Sequence, residues 1–536
     1  MTARIRVGAI LVAIAALAAA ALAGDILEEY QKRYAKASYA SAKEDVIKEL
    51  VATGKPEALK ALQWCLGVSK SALEEARKDS DKLHAKVPPI QAKVAAKEAD
   101  YLEQQKKQGN PAPKLRPRFP EDDELLKATA DADGADRAIA SEVAVIAELL
   151  DAHGTAAAKL PPDAQKAVRE DWTKNRVASK DWGVRAEIYE ILGHTPTDWA
   201  LDLVLSAATT EADARALVVA LDGLGGRPAQ RVTPVLVSRL DDVRWLVRAS
   251  AVAALASTPS KEGIDGLVKR LQKEDGRLRD DETGALRSLT GADMPPNPEM
   301  WRIWWEQNRE KWAGKPAADA PKAPVPFTSG AAPAPGAGEK KTGFFGLQIE
   351  SKRVVFVIDI SGSMNDAMGG TGPDAKTTRA AFAKAELKQA VAALPDGALF
   401  DIVFFSSAVK VWKPEIQKAD GKIRKEALDY IDGTEVVGGT NTYDALEAGF
   451  GVGDMGRGKK READPTGDAR VDTVVFLSDG KPTLGRTTDP EAIRTAVKEW
   501  NRSRRIVLHT IAFGKDADEK FMKGLADDTG GTYRAK

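Results

Sequence analysis

The chain has 536 residues, and its 79 basic and 79 acidic side chains give a formal net charge of zero. This length predicts two or more domains. The even charge balance disfavours nucleic acid and anionic membranes as partners, because both attract basic surfaces. Cys65 is the only cysteine, which excludes an intramolecular disulfide, and its apolar helical surroundings predict a core residue.

The first segment, residues 1–23, has the pattern of a secretory signal peptide. Arg4 and Arg6 precede an apolar run, and Ala21-Leu22-Ala23 fits the small-residue cleavage site. An uncleaved membrane anchor is the alternative. No later segment of the sequence has the length and apolarity of a transmembrane helix. We therefore predict export to the periplasm, the cell envelope or the extracellular space, with no membrane contact beyond such an anchor.

Residues 24–122 are predicted to form a helical hairpin or short coiled coil. Glu74–Lys86 and Gln91–Gln108 combine dense charge with Leu and Ala, as exposed helices do. Val87-Pro88-Pro89-Ile90 is predicted to separate these two helices, because proline interrupts a helix. Residues 109–122 are rich in proline and basic side chains, and they are predicted to be a loop.

Residues 123–312 show a repeat of apolar helical segments. Gly193, Gly225, Ser257 and Thr290 end successive segments and are spaced by 32, 32 and 33 residues. This period predicts paired helices stacked into a solenoid, because one unit cannot bury its own apolar face. The units resemble HEAT repeats, and an irregular helical bundle is the alternative. The predicted helices are Arg185–Gly193, Ala214–Gly225, Val247–Ser257 and Leu278–Thr290.

Four tryptophans, Trp301, Trp304, Trp305 and Trp312, follow the last repeat. We predict that they cap the open end of the solenoid core, and a surface for stacking a ligand is the alternative. Residues 313–342 are rich in Ala, Pro and Gly and are predicted to be a semi-extended linker.

The last region, residues 343–536, alternates strand and helix patterns, which predicts a doubly wound, mostly parallel α/β sheet of the Rossmann-like type. The whole chain is therefore predicted to pair an all-α N-terminal part with an α/β C-terminal domain. The predicted strands are Arg353–Asp359, Leu399–Phe405, Ala408–Trp412 as an antiparallel edge hairpin, Thr473–Ser478, Arg505–Phe513 and Gly531–Arg534. The predicted helices are Thr378–Leu394, Lys422–Ile431, Thr442–Phe450, Asp489–Trp500 and Asp516–Asp528.

Oxygen-bearing side chains follow the ends of two predicted buried strands. Asp359, Ser361 and Ser363 stand on alternate residues after the first, and Asp479 follows the fourth. Thr440 lies in a Gly-Gly-Thr stretch before a predicted helix. Because the carboxyl ends of parallel strands share one edge, these side chains are expected to meet there. Carboxylate and hydroxyl oxygens suit a hard cation such as Mg²⁺.

These three motifs together resemble the metal-ion-dependent adhesion site of von Willebrand factor type A domains. The resemblance implies one divalent cation held by Asp359, Ser361, Ser363, Thr440 and Asp479, with the hydroxyls in direct contact and the acids often acting through water. Mg²⁺ is expected, with Mn²⁺ or Ca²⁺ as alternatives. A protein partner then supplies an Asp or Glu carboxylate oxygen to the metal.

Two features depart from that family. No helix is predicted after the last strand, so we expect another segment to cover the groove that a closing helix fills. Residues 364–377 form a long loop after the metal motif, and Asp366 and Asp374 within it are predicted to be solvated acids rather than extra ligands.

The sequence contains no complete motif for a serine nucleophile, a histidine metal site or a P-loop. Ser361 and Ser363 lack a G-x-S-x-G elbow, and His509 lies inside a predicted strand. The four histidines lack metal-ligand spacing. Residues 453–460 resemble a P-loop but end in Lys and follow a helix. We therefore predict that the chain is not an enzyme.

The sequence favours an exported, adhesion-type binding protein. A cell-envelope scaffold, in which the repeats bind and the metal is structural, is one alternative. A non-catalytic subunit of a larger ATPase-like or chelatase-like assembly is another. The sequence does not identify the partner or the placement of the repeats relative to the α/β domain.

Overall fold

A computed structural model describes residues 28–108, 117–314, 342–349, 351–368, 376–451, 471–501, 504–514 and 517–536. The predicted signal segment, nearly all of the linker, Asp374 and the P-loop-like stretch lie outside these residues. The chain divides into two compact units. One comprises the residues up to Lys82 together with Ala135–Gly223, and the other comprises Leu83–Gly134 together with Leu224–Lys536.

The regular structure in the described part of the N-terminal region consists of helices. Residues 28–36 are helical, and Cys65 is buried at 0% exposure, as predicted. The helices that follow, numbered along the chain, are α1 Ala40–Ala52, α2 Pro56–His84, α3 Val87–Lys107, α4 Pro120–Lys159, α5 Pro162–Trp172 with the π-helical Thr173–Val177, α6 Trp182–Gly193, α7 Asp198–Thr210, α8 Ala214–Asp222, α9 Ala229–Arg239, α10 Trp245–Ala256, α11 Lys261–Leu271, α12 Gly276–Thr290 and α13 Pro298–Asn308.

Two helices are present where the sequence predicted them, but Val87–Ile90 does not separate them, and that part of the prediction was wrong. Helix α3 begins at Val87, so Pro88 and Pro89 lie in its first turn. Proline is tolerated there because the first N–H groups of a helix have no intrahelical acceptor. The break between α2 and α3 covers only residues 85–86. Helix α4 begins at Pro120, within the stretch predicted to be a loop.

Each predicted repeat segment is helical. In the first unit, α6 and α8 approach so closely that a Cβ on Gly193 would lie 2.9 Å from the Cα of Gly223. In the second unit, α11 packs against α12 and α13. Trp301 and Trp305 of α13 are buried, and Trp305 Nε1 donates a hydrogen bond of 2.7 Å to Asp265 on α11. The tryptophan cluster therefore closes this end of the repeat core.

The C-terminal region forms an α/β domain. Its strands are β1 Thr342–Phe344, β2 Leu347–Ile349, β3 Arg353–Asp359, β4 Leu399–Phe405, β5 Val409–Val411, β6 Gln417–Lys418, β7 Thr473–Ser478, β8 Val507–Ala512 and β9 Tyr533–Ala535. Its helices are α14 Arg379–Ala393, α15 Gly421–Asp432, α16 Thr442–Gly451, α17 Pro490–Asn501 and α18 Glu519–Thr529.

Seven strands of the described chain form one sheet, in the order β5-β4-β3-β7-β8-β9, with β6 also paired to β4. Strands β4, β3, β7, β8 and β9 are parallel, whereas β5 and β6 run antiparallel to β4. The mostly parallel sheet and its antiparallel edge hairpin confirm the predicted fold. Strands β1 and β2 form a separate hairpin that the sequence did not predict.

Helices cover both faces of this sheet. Successive residues of β3 point to opposite faces, as in any strand. Val354, Phe356 and Ile358 pack in the core that includes α14 and α15, whereas Val355 and Val357 pack with α16, α17 and α18. Both faces of β3 are therefore apolar up to Asp359, which lies at its carboxyl end.

Candidate metal site at the carboxyl edge of the sheet

Backbone hydrogen bonds fix the loops that leave the central strands. Ile360 N donates to Phe405 O at 2.8 Å, which joins the ends of β3 and β4. Gly362 N donates to Gly438 O at 2.8 Å, and Asn441 N donates to Ser406 O at 2.9 Å. The loops after β3 and β4 and the loop before α16 are therefore held together at one edge.

Asp359 is the buried acid of the first motif, at 0% exposure. Its Oδ1 accepts a hydrogen bond of 2.8 Å from Ser361 N, and its Oδ2 accepts one of 2.6 Å from Ser478 Oγ. Because Ser478 ends β7, this second bond ties the two central strands together. Both carboxylate oxygens are thus oriented by the chain itself.

The two serines connect the first motif to the second acid. Ser361 Oγ and Ser363 Oγ are 3.1 Å apart, and Ser363 Oγ donates to Asp479 Oδ1 at 2.7 Å. Ser361 and Asp479 are buried, whereas Ser363 is exposed. The cluster therefore opens to solvent on the Ser363 side.

Thr440 reaches the same place from the loop before α16. Its Oγ1 lies 3.5 Å from the position that a Cβ on Gly480 would occupy, beside Asp479. Its backbone N donates to Thr483 Oγ1 at 2.8 Å, and its backbone O accepts from Thr483 N at 2.9 Å. The structure thus brings all five predicted side chains to one edge of the sheet.

The turn before Thr440 requires glycine. Gly438 has φ +83°, in the left-handed region that disfavours other residues, and a Cβ there would lie 2.5 Å from Ser407 Oγ. Ser407 Oγ accepts from Gly439 N at 2.9 Å, so the close approach also supports the turn.

The surroundings of Asp359 disfavour its ionised form. Burial raises the pKa of Asp359 to about 6, and the nearby charge of Asp479 raises it further, against hydrogen bonds from Ser478 and Ser361 that lower it. A cation beside these carboxylates would remove the repulsion that disfavours ionising both.

The donor set fits a hard cation. It combines two carboxylates with three hydroxyls, which are the oxygen ligands that Mg²⁺ and related ions take. Within the described ranges, no group of three or more His, Cys, Asp and Glu side chains is placed to hold a metal. The candidate site differs from such groups because hydroxyls supply most of its ligand atoms.

The sequence did not assign two residues that complete the cluster. Ser478 orients Asp359, and Arg379 Nη1 donates to Asp479 Oδ2 at 2.8 Å. Ser478 adjoins a predicted ligand and ends a predicted strand, so its position offered a clue. Arg379 lies 100 residues from Asp479, and no spacing rule connects them.

Two other side chains considered from the sequence, those of Asp366 and His509, make no hydrogen bond to the five predicted ligands within the described part of the chain. Asp366 is exposed, as expected of a solvated loop acid. His509 is inside β8, where its Nδ1 accepts from Thr532 N at 3.1 Å and burial lowers its pKa to about 4. No helix among the described residues is both long and apolar enough to cross a bilayer.

Comparison with known proteins identifies two families of domain in this chain. Residues 352–535 match the family model of the von Willebrand factor type A domain, and residues 201–287 match that of HEAT repeats. The resemblance to a type A domain is thereby confirmed for residues 352–535, and the resemblance to HEAT repeats for residues 201–287. The chain carries a type A domain and HEAT repeats.

The sequence relatives match about a third of this chain. It is 33% identical over 189 residues to inter-alpha-trypsin inhibitor heavy chain H4 of Homo sapiens. It is 31% identical over 181 residues to heavy chain H1 of Sus scrofa. The two matches cover 35% and 34% of this chain, and each covers 18% of the relative's length.

Solved structures give further matches. A von Willebrand factor type A protein from Catenulispora acidiphila has 23% identity and a TM-score of 0.28, covering 35% of this chain and 39% of the other. The PilB minor pilin from Streptococcus sanguinis has 16% identity and a TM-score of 0.25, covering 34% of this chain and 56% of the pilin.

Proposed function

We propose that this chain is an exported binding protein whose type A domain holds Mg²⁺ and uses it to engage an Asp or Glu carboxylate on a protein partner. The observation that carries the proposal is the meeting of Asp359, Ser361, Ser363, Thr440 and Asp479 at one sheet edge. These residues would hold the cation. When bound, it supplies a Lewis-acidic centre for the partner's carboxylate oxygen.

The chain's own residues prepare the site. Ser478 and the Ser361 amide fix the Asp359 carboxylate, and Thr483 fixes the Thr440 backbone. Ser363 remains exposed, so a partner can approach from that side. Three neutral hydroxyls keep the negative charge of the site low, which reduces its repulsion of an acidic partner.

The proposal treats the chain as non-catalytic. Neither Ser361 nor Ser363 has a histidine among its hydrogen-bonding partners in the described residues, and His509 lies half-buried inside β8. A serine nucleophile needs a base within hydrogen-bond reach. Export rests on the pattern of residues 1–23, and the HEAT repeats offer a second surface for a partner.

Calorimetric titration of the full chain with Mg²⁺ tests the proposal. Wild type is expected to bind one Mg²⁺, and Asp359→Ala is expected to lose that binding. Asp366→Ala is the matched control, because Asp366 is an exposed acid near the same motif. Its Mg²⁺ affinity should equal that of wild type. Absence of Mg²⁺ binding to the wild type would contradict the proposal.

Partner binding is tested separately by affinity capture from envelope extract, with Mg²⁺ or with EDTA. A partner that is retained with Mg²⁺, released by EDTA and not captured by Asp359→Ala supports metal-dependent recognition. A partner retained equally in EDTA would instead assign binding to the repeats and a structural role to the metal.

A further inference from the structure

An arginine is built into the candidate metal site. Arg379 is the first residue of α14, and only 11% of its side chain is exposed. Its Nη1 donates to Asp479 Oδ2 at 2.8 Å, while Asp479 Oδ1 accepts from Ser363 Oγ. The Asp479 carboxylate therefore accepts hydrogen bonds from two side chains: the hydroxyl of Ser363, which is a predicted metal ligand, and the guanidinium of Arg379.

The surroundings hold this guanidinium in place. Gly514, at φ +80°, lies against it, and a Cβ there would come within 2.8 Å of Arg379 Cζ and Nη2. Thr378 caps α14 by accepting from Ala381 N, and Arg379 N donates to Asp366 O at 2.9 Å. Three features therefore fix the position of Arg379: the loop that contains Asp366, the capped start of α14, and Gly514 after the end of β8.

The arginine changes the charge of the site. Asp359 and Asp479 alone would neutralise a divalent cation. With Arg379 included, the three side chains carry a single formal negative charge, so the cation-loaded site carries one positive charge. That surplus matches the single negative charge of one carboxylate.

We propose, on the basis of the proposed function, that Arg379 is a fixed counter-charge that weakens cation binding and strengthens the binding of an acidic ligand to the cation-loaded site. The reason is Coulombic: a buried positive charge near the ion repels the ion and attracts the ligand's carboxylate. Arg379 is thus a specificity residue of the site, without itself being a metal ligand.

A counter-charge and a structural ion pair predict different changes in the affinities for the cation and for the acidic ligand when Arg379 is neutralised. If Arg379 only held Asp479 in place, neutralising it would loosen a ligand, and both the cation and the acid would bind more weakly. If it is a counter-charge, the two affinities change in opposite directions.

Calorimetry with Arg379→Gln tests the inference, with acetate as the probe for the acidic group. Mg²⁺ is titrated into the full chain in sodium acetate and in sodium chloride at matched ionic strength. For wild type, acetate should tighten Mg²⁺ binding, because the two ligands stabilise the same state. For Arg379→Gln, Mg²⁺ alone should bind on the order of tenfold tighter, and the gain from acetate should shrink.

Arg379→Lys is the charge-retaining control, and its Mg²⁺ affinity should stay close to that of wild type. Arg379→Met provides a second neutral variant if the Gln variant does not fold, as judged by thermal unfolding in EDTA. Weaker Mg²⁺ binding in the neutral variants, or an unchanged effect of acetate, would overturn the inference about Arg379 and leave the proposed function standing. A wild type that binds no Mg²⁺ would overturn the proposed function and this inference with it.

Discussion

At the scale of residues, hydrogen bonds within the chain orient the oxygen atoms of the candidate metal site. Asp359 is buried and receives one bond from a backbone amide and one from Ser478. A buried carboxylate oxygen that loses its donor becomes less stable and less well oriented. Ser478 therefore matters although it is not a predicted ligand.

Ser478→Ala is expected to lower the free energy of unfolding by about 1–3 kcal/mol and the Mg²⁺ affinity by roughly tenfold. Urea unfolding and calorimetry measure the two effects. Ser238→Ala is the control, because Ser238 is exposed on α9 and its hydroxyl donates to the Val235 carbonyl within its own helix. Equal Mg²⁺ affinity in Ser478→Ala and wild type would contradict the assigned role.

A second buried acid, Asp401 on β4, makes stability depend on pH. It is at 0% exposure, and burial raises its pKa to about 7, against hydrogen bonds that lower it. In the unfolded chain an aspartate has a pKa of about 3.9. Between these values the folded state keeps the proton and the unfolded state releases it, so stability falls as pH rises from about 4 to about 7.

Asp401→Asn removes this titration. The variant is expected to be more stable than wild type by about 2–4 kcal/mol at pH 8, with little difference at about pH 3, where the acid is largely protonated in both states. Urea midpoints at the two pH values measure the change. A stability difference that is the same at both pH values would rule out Asp401 as the cause.

At the scale of elements, the long buried strands and the short strands β5 and β9 were predicted, whereas the short strands β1, β2 and β6 were not. Strands β3, β4 and β7 consist mainly of Val, Ile, Leu and Phe, which is typical of strands buried on both faces, and Asp401 is the one acid inside β4. Strands β1, β2 and β6 have only two or three residues, too few to show a period. Pairing across the sheet, which is a tertiary property, decides where they form.

The same distinction applies to the candidate site. Asp359, Ser361 and Ser363 stand in one motif, so sequence spacing was enough to group them, and resemblance to a family added Thr440 and Asp479. The hydrogen bond from Arg379 to Asp479 joins the start of α14 to the residue after β7. Local sequence does not predict this contact, because the two residues are far apart along the chain. Side chains that tune the site were therefore harder to predict than those that form it.

Gly438→Ala tests the turn that delivers Thr440. The left-handed backbone and the clash with Ser407 Oγ should together cost about 1–3 kcal/mol. We also expect weaker Mg²⁺ binding, because the turn leads directly to Thr440. Thermal unfolding and calorimetry are the measurements.

Gly421→Ala is the matched control in the same domain. A Cβ on Gly421, at the start of α15, meets no atom within 4 Å, and its φ is outside the left-handed range. It should unfold and bind Mg²⁺ as wild type does. If Gly438→Ala behaved like Gly421→Ala, the turn would not be what positions the threonine.

At the scale of the whole molecule, the second unit joins repeat helices to the type A domain. Arg277 of α12 donates to the backbone carbonyl of Asp472 at 2.8 Å and also to that of Arg505. Arg505 Nε in turn donates to Ser250 of α10 at 2.8 Å. These polar contacts lie where β7 and β8 begin, at the edge opposite the candidate metal site.

Arg277→Met is expected to lower the unfolding temperature of the full chain, because two strand-end carbonyls lose a donor. Removing hydrogen bonds of this kind costs about 1–3 kcal/mol each when the acceptor stays buried. Arg302→Met is the control, because Arg302 lies on the exposed face of α13. Scanning calorimetry compares them, and equal unfolding temperatures for both variants would argue against this junction.

The central claim is that five side chains from separate loops hold one divalent cation. Anomalous diffraction from crystals of the full chain grown with Mn²⁺ tests it most directly. One Mn²⁺ peak is expected at coordination distance, about 2.0–2.6 Å, from the hydroxyls of Ser361 and Ser363, in a site that also includes Thr440, Asp359 and Asp479. Crystals in which Mn²⁺ is bound elsewhere, with these hydroxyls uncoordinated, would contradict it.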